Sequence, residues 1–108
     1  MSESTALQSL REALGDRVRV DQESLYPNSF DGMRLSFPHE ADIQIDQPDQ
    51  VGEVLRLANQ YSVPVTTRGA GSSLTGSASP AKGGWVLRLD QLDDLRIDSL
   101  NQFAHVGP

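Results

Sequence analysis

The sequence predicts a small α/β (α+β) domain built around a β-α-β unit with parallel strands. A helical pattern of apolar residues lies between two short apolar runs, and the second run leads into a glycine-rich segment, residues 69–76. Short joints between a strand, a helix and a second strand favour a parallel pair with a right-handed crossover. Because ligands bind beyond the carboxyl ends of parallel strands, the glycine-rich segment lies where a binding site is expected.

The central helix is predicted to run from residue 48 to residue 61. Pro48 and Asp49 are typical of a helix start, and apolar residues then recur at intervals of three and four. Gly52 within this helix costs about 1 kcal/mol relative to alanine, which a packed helix tolerates. The positions expected to share one apolar stripe are Val51, Val54, Leu55, Ala58 and Tyr61.

The flanking strands are predicted from alternating apolar and polar residues. Ile43 and Ile45 indicate a brief strand before the helix, and residues 63–67 indicate the strand after it. Further short strands are predicted at residues 18–20, 85–90, 95–97 and 103–106.

The N-terminal part is predicted to contain one more helix. Ser4 and Thr5 are suitable N-cap residues and Gly15 is a suitable stop, and the apolar stripe between them is Leu7, Leu10 and Leu14. We expect residues 1–20 to form this helix and a lead-in, and residues 21–108 to form a partial binding domain. Residues 21–40, with two prolines, a glycine and scattered aromatic residues, are predicted to be a wrapping loop.

Composition excludes several classes of function. Cysteine is absent from the 108 residues, so the chain has no disulfide, thiolate nucleophile or cysteine-ligated metal. A net charge of -6 disfavours nucleic acid as a partner. No apolar run approaches the ~20 residues of a membrane span, and the N-terminus lacks the features of a secretory signal. We therefore expect a cytoplasmic protein.

The glycine-rich loop carries most of the chemistry. Its sequence is Arg68-Gly69-Ala70-Gly71-Ser72-Ser73-Leu74-Thr75-Gly76. Glycine lets the main chain approach a phosphate closely, and each backbone N–H bond to a charged oxygen contributes about 1.5–3 kcal/mol. Three or four such bonds suit a diphosphate held without a metal. Arg68 could add a charge-assisted contact, or it could cap the strand end and pair with a carboxylate, and the residues alone leave both open.

Established phosphate and catalytic motifs do not fit this loop. The dinucleotide fingerprint needs glycine where Leu74 stands, the triphosphate loop needs lysine where Ser77 stands, and a nucleophile elbow needs glycine where Thr75 stands. His39 and His105 are too few and too far apart in sequence for a triad or a metal site. The residues themselves therefore indicate no established catalytic motif and no metal site in this chain.

Residues 64–76 resemble the first flavin-binding motif of FAD-linked oxidases of the vanillyl-alcohol oxidase type. The pattern is closest to the glycolate oxidase and D-lactate dehydrogenase group of that family, and the resemblance spans residues 26–108. It implies a truncated first lobe of a FAD-binding domain, in which backbone N–H groups contact the pyrophosphate of FAD. The residues that it assigns to FAD are Arg68, Gly69, Ala70, Gly71, Ser72, Ser73 and Gly76.

The resemblance also implies a reaction. Members of this group oxidise a small 2-hydroxy acid such as glycolate or D-lactate, and the flavin performs the redox chemistry. Ser72 stands where some relatives carry a histidine joined to the flavin, so the implied FAD is non-covalent. The acid-binding arginines and the histidines of that group would lie beyond Pro108. We therefore expect these 108 residues alone to be inactive and to bind FAD weakly or not at all.

Two alternatives remain open at this point. A non-catalytic lobe could form a homodimer through exposed strand edges, because uncovered edges pair readily. A FAD-linked oxidase of a different alcohol would share the loop and differ in substrate. Residue-level reasoning also leaves open whether Tyr26 and Asp31 face a flavin or pack the wrapping loop.

Overall fold

The core of the protein is a four-stranded sheet, and the computed structural model describes residues 4–108. The helices are α1 (Thr5–Leu14), α2 (Gln22–Leu25) and α3 (Asp49–Tyr61). The strands are β1 (Val18–Arg19), β2 (Ala41–Gln44), β3 (Val65–Arg68), β4 (Trp85–Arg88), β5 (Leu95–Asp98) and β6 (Phe103–Val106). Single 3₁₀ turns follow α1 and α2.

The sheet has the strand order β1-β2-β4-β3, in which β2 and β3 both run parallel to β4 and β1 runs antiparallel to β2. The β-α-β unit and its parallel strands are confirmed. The expectation that its two strands pair directly is wrong, because β4 lies between them. Trp85, Val86 and Leu87 are all fully buried, and a strand that is apolar at consecutive positions suits a central place covered on both faces.

Helices α1 and α3 pack against one face of the sheet. The main core combines their apolar stripes with Ile43 and Ile45, whose side chains are fully buried. In α3, Leu55 is 43% exposed while Leu57 is buried, so the predicted stripe was wrong at one edge. With 3.6 residues per turn these two leucines lie on opposite edges of the stripe centred on Val54 and Ala58, and the packing buries the Leu57 edge.

The helix boundaries follow the predicted capping residues. The Ser4 side chain accepts a hydrogen bond from the N–H of Leu7, and Gly15 ends α1 with a positive φ of 55°. The predicted wrapping loop contains a short helix that sequence patterns did not indicate, α2. It begins where the Asp21 carboxylate accepts from the N–H of Ser24.

Strands β5 and β6 form a separate antiparallel hairpin. Both predicted strands are confirmed, and their apolar side chains are largely exposed, including Ile97 at 73%. Homodimerisation through strand edges stays a prediction. Across residues 4–108, every helix is too short or too polar to cross a membrane.

Candidate functional site

The glycine-rich loop leaves the carboxyl end of β3, as the sequence predicts. The N–H of Leu89 still pairs with the carbonyl of Arg68, and the chain then departs from regular structure through residues 69–79. Gly71 and Gly76 adopt φ values of 73° and 81°, in the left-handed region that favours glycine. The two glycines therefore allow turns that set the path of the loop.

The backbone donors of the loop are mostly unused by the protein. In the described part of the chain, no protein acceptor binds the N–H groups of residues 69–74. The N–H of Thr75 lies 3.3 Å from Oγ of Ser73, and the N–H of Gly76 is directed at the Asp31 carboxylate. A run of unpaired donors at the end of a strand is suited to bind an external anion.

Space for a ligand exists at the start of this run. A Cβ placed on Gly69 would meet no heavy atom within 4 Å, and the φ of Gly69 lies outside the left-handed region. The donors and the open approach at Gly69 fit a phosphate group that contacts main chain directly. The hydroxyls of Ser73, Thr75 and Ser77 form a cluster of their own, with Oγ of Ser73 2.9 Å from Oγ1 of Thr75.

The Arg68 side chain turns back into the protein. Its Nη1 donates to the carbonyl of Phe30 at 2.5 Å and its Nη2 donates to the carbonyl of Pro27 at 3.1 Å, and the residue is only 8% exposed. Burial lowers the pKa of Arg68, and the negative charge of Asp42 opposes that shift. The charged group is thus bonded to backbone carbonyls, and a direct contact with a diphosphate stays a prediction.

Residues 27–33, opposite the loop, are anchored to it and to Ser79 by hydrogen bonds that their main-chain N–H groups donate. The N–H of Gly32 donates to the carbonyl of Ser73 at 2.7 Å, and the N–H of Asp31 donates to Oγ of Ser79 at 3.1 Å. A Cβ on Gly32 would lie 2.8 Å from the carbonyl oxygen of Ser73, so the two chains are in close contact. The sequence predicted a wrapping loop here but gave no sign of these bonds to the glycine loop, because the segment has no regular periodicity.

Asp31 is the buried carboxylate of this segment. Burial alone would raise the pKa of Asp31, but N–H groups of Met33 (3.0 Å), Ala78 (3.4 Å) and Gly76, together with the Ser79 hydroxyl, lower it overall. Asp31 therefore packs the wrapping loop against the C-terminal end of the glycine loop and the residues that follow it.

Tyr26 does not share the buried position of Asp31. Its side chain is 63% exposed, and its ring stacks at a tilt on Phe30 with centroids 5.6 Å apart. With Phe30, Arg34 and Gly71 it lines an open groove beside the glycine loop. Arg34 has a left-handed φ of 66° and an exposed side chain in that groove.

A buried polar pair lies behind the same segment. Nε2 of His39 lies 2.5 Å from Oδ1 of Asp42, whose Oδ2 accepts from Nδ2 of Asn28 at 2.6 Å. The His39 side chain is fully buried. These contacts connect the start of β2 to the segment whose carbonyls bind Arg68. The contacts of His39 are therefore those of a residue that stabilises the fold.

Comparison with known proteins identifies the family. Residues 39–108 match a family model described as FAD binding domain. The chain is 30% identical over 108 residues to the glycolate oxidase subunit GlcD of Escherichia coli, covering 97% of this chain and 22% of that protein. It is 37% identical over 59 residues to a D-lactate dehydrogenase of Archaeoglobus fulgidus, covering 55% of this chain and 13% of that protein.

Solved structures show the same fold. p-Cresol methylhydroxylase superposes with a TM-score of 0.72 at 29% identity, covering 86% of this chain and 19% of that chain. Alkyldihydroxyacetonephosphate synthase superposes with a TM-score of 0.75 at 15% identity, covering 94% and 23%. This chain thus spans less than a quarter of each of these proteins. It belongs to the FAD-binding domain family of FAD-linked oxidoreductases, related to glycolate oxidase subunit GlcD and D-lactate dehydrogenase.

Proposed function

We propose that the glycine loop binds the diphosphate of FAD without a covalent bond, in the FAD-binding lobe of an enzyme that oxidises small 2-hydroxy acids. The observation that supports this proposal is the run of N–H groups at residues 69–74 that donate to no protein acceptor in the described chain. Backbone donors that are prearranged and unpaired bind anions without rearrangement.

The proposed contacts differ along the loop. The main chain of Gly69, Ala70 and Gly71 would approach the diphosphate, since Gly69 is open to solvent on its Cβ side. Ser72 and Ser73 would add N–H donors and, for Ser72, a hydroxyl. Gly76 would contribute by its left-handed turn, because its N–H is already directed at Asp31.

FAD, when bound, supplies the redox chemistry, and this chain supplies binding and orientation. A 2-hydroxy acid is the proposed substrate class because two relatives carry the names glycolate oxidase and D-lactate dehydrogenase. In the flavin-loaded enzyme that contains this lobe, anaerobic addition of glycolate or D-lactate should bleach the flavin absorbance. Bleaching by an aromatic alcohol and not by either acid would move the assignment to a different alcohol oxidase.

The binding of a diphosphate can be tested with Gly69→Ala. We expect inorganic diphosphate to shift the backbone amide resonances of residues 69–74, as followed by ¹H–¹⁵N NMR. The substitution should leave the unfolding midpoint unchanged, because the added Cβ meets no protein atom within 4 Å. It should weaken diphosphate binding at least tenfold, because the methyl group occupies the approach to the main chain.

Gly52→Ala is the matched control for that experiment. Gly52 is likewise free of contacts within 4 Å of its Cβ position, but it lies in α3, away from the loop. Its substitution should leave diphosphate binding unchanged. Amide resonances of residues 69–74 that ignore diphosphate in the parent chain would refute the proposed site.

A further inference from the structure

We infer that Arg68 is a positioning residue whose guanidinium occupies the space left by the missing side chain of Gly71. A Cβ built on Gly71 would overlap Nη2 and Cζ of Arg68. The loop therefore turns back over its own arginine three residues after β3 ends. On this inference, glycine is required at position 71 to accommodate the arginine, in addition to the left-handed φ of 73°.

The arginine also connects the loop to a distant segment. Its two donors bind the carbonyls of Pro27 and Phe30, which lie 41 and 38 residues earlier in the sequence. A planar guanidinium presents several N–H groups in a fixed geometry, whereas a lysine ammonium is a compact, strongly hydrated charge on a flexible stem. Arg68 thus fixes the glycine loop and residues 27–30 relative to each other.

The burial of Arg68 favours a positioning role over direct electrostatic attraction of an anion. Arg68 is 8% exposed, and the carboxylates of Asp42 and Asp31 and the guanidinium of Arg88 contribute to its electrostatic surroundings. A charge in that position is partly compensated by the protein itself. The contribution of Arg68 to anion binding should therefore arise from the geometry of the loop amides, with little dependence on ionic strength.

A double-mutant cycle tests the contact between Arg68 and Gly71. Arg68→Met keeps an unbranched stem and removes the guanidinium, so the space beside Gly71 opens. Gly71→Ala should lower the folding equilibrium constant of the parent chain at least tenfold more than it does in the Arg68→Met background. Additive effects of the two substitutions would overturn the inference.

Gly76→Ala is the comparison for the cost of positive φ alone. Its φ of 81° is similar, but its added Cβ would meet only the flexible end of Met33. Its cost should therefore be nearly the same with Arg68 or Met at position 68. If Arg68→Met does not fold, the same cycle is measured with Arg68→Lys.

Measurements on the amides of residues 69–74 distinguish a positioning role of Arg68 from general stabilisation of the fold. Arg68→Lys retains the charge, yet at a temperature where the variant is fully folded it should lower the ¹⁵N order parameters of residues 69–74 and weaken diphosphate binding at least fivefold. Val54→Ala, a core substitution in α3, should lower the unfolding midpoint and leave both loop measurements unchanged. Parent-like order parameters and diphosphate affinity in Arg68→Lys would show that charge alone suffices and would overturn the inference.

A failure of this inference can be distinguished from a failure of the proposed function. If the parent chain binds no diphosphate, the proposed site is wrong, while the cycle and the order parameters still decide the role of Arg68. If diphosphate binds and the cycle is additive, the site stands and the positioning role falls.

Discussion

The two segments that meet at the candidate site use their hydrogen bonds in opposite ways. In residues 27–33, two carbonyls accept from Arg68, two N–H groups reach across to the glycine loop and its continuation, and one carboxylate is held by further N–H groups. In residues 69–74, the N–H groups donate to no described protein acceptor. Residues 27–33 therefore form a frame, and this frame holds residues 69–74 in place.

This difference separates two requirements of an anion site. Unpaired N–H groups are needed to bind the ligand, but a loop whose donors are unpaired has few bonds to stabilise its own conformation. Here the conformation of the loop is fixed by the Ser73 carbonyl, the buried Arg68 side chain and the closely packed Gly32. The N–H groups of residues 69–74 therefore stay available to a ligand. The frame is therefore part of the site, because it fixes the loop that carries the donors.

Among these substitutions, separating the two segments at Gly32 should destabilise the protein most. In Gly32→Ala the new Cβ would lie 2.8 Å from the carbonyl oxygen of Ser73 and 3.0 Å from that of Ser72, so main chain must move. We expect a loss of about 1–3 kcal/mol in the free energy of unfolding, measured by urea denaturation, together with faster exchange of the Gly32 amide.

Gly52→Ala again provides the control, now with the opposite sign. It replaces an uncrowded glycine within α3 and should stabilise the protein by about 0.5–1 kcal/mol. Equal effects of the two substitutions would contradict the close packing at Gly32.

The next effect concerns the carboxylate of the frame. The folded state lowers the pKa of Asp31, so its contribution to stability is complete above the ordinary carboxyl pKa and is lost as the pH falls below about 4 toward the lowered value. Asp31→Asn should therefore be less stable than the parent at pH 7, and the difference should shrink as acid is added. Thermal unfolding across a pH series measures this convergence.

Asp98 gives a matched carboxylate outside the site. Its pKa is also lowered, mainly by hydrogen bonds from Asn101 in the β5–β6 hairpin. Asp98→Asn should leave the ¹⁵N order parameters of residues 69–74 unchanged, whereas Asp31→Asn should lower them. A stability difference for Asp31→Asn that stays constant from pH 7 to pH 2 would contradict the assignment.

Local patterns were sufficient to predict most elements of the fold. The N-cap at Ser4, the stop at Gly15 and the periodicity around Val54 are determined by neighbours in sequence, and the structure confirms each helix that they indicated. The position of β4 between β2 and β3 was not predicted, because strand order depends on pairing between distant residues. Apolar side chains at consecutive positions of β4 were the available signal for a central strand.

The candidate site shows the same division between local and distant information. Glycines and small hydroxyls predicted a loop with available N–H groups, since that property depends on residues adjacent in sequence. The partners of Arg68 could not be predicted, because they are backbone carbonyls in an irregular segment about forty residues earlier. A carbonyl has no residue-specific signature, so neither the sequence of the loop nor that of the segment identified the contact.

Removing an exposed leucine from the glycine loop should change stability least. Leu74 is 79% exposed, so Leu74→Ala should change the free energy of unfolding by no more than about 0.5 kcal/mol and leave the Gly32–Ser73 bond intact. Leu35→Ala, at a leucine of the wrapping loop that is 57% exposed, is the control for removing an exposed leucine. Urea denaturation and the exchange rate of the Gly32 amide provide both measurements. A loss above 1 kcal/mol for Leu74→Ala alone would mean that side chains of the loop stabilise its conformation, and the frame would then not be its main support.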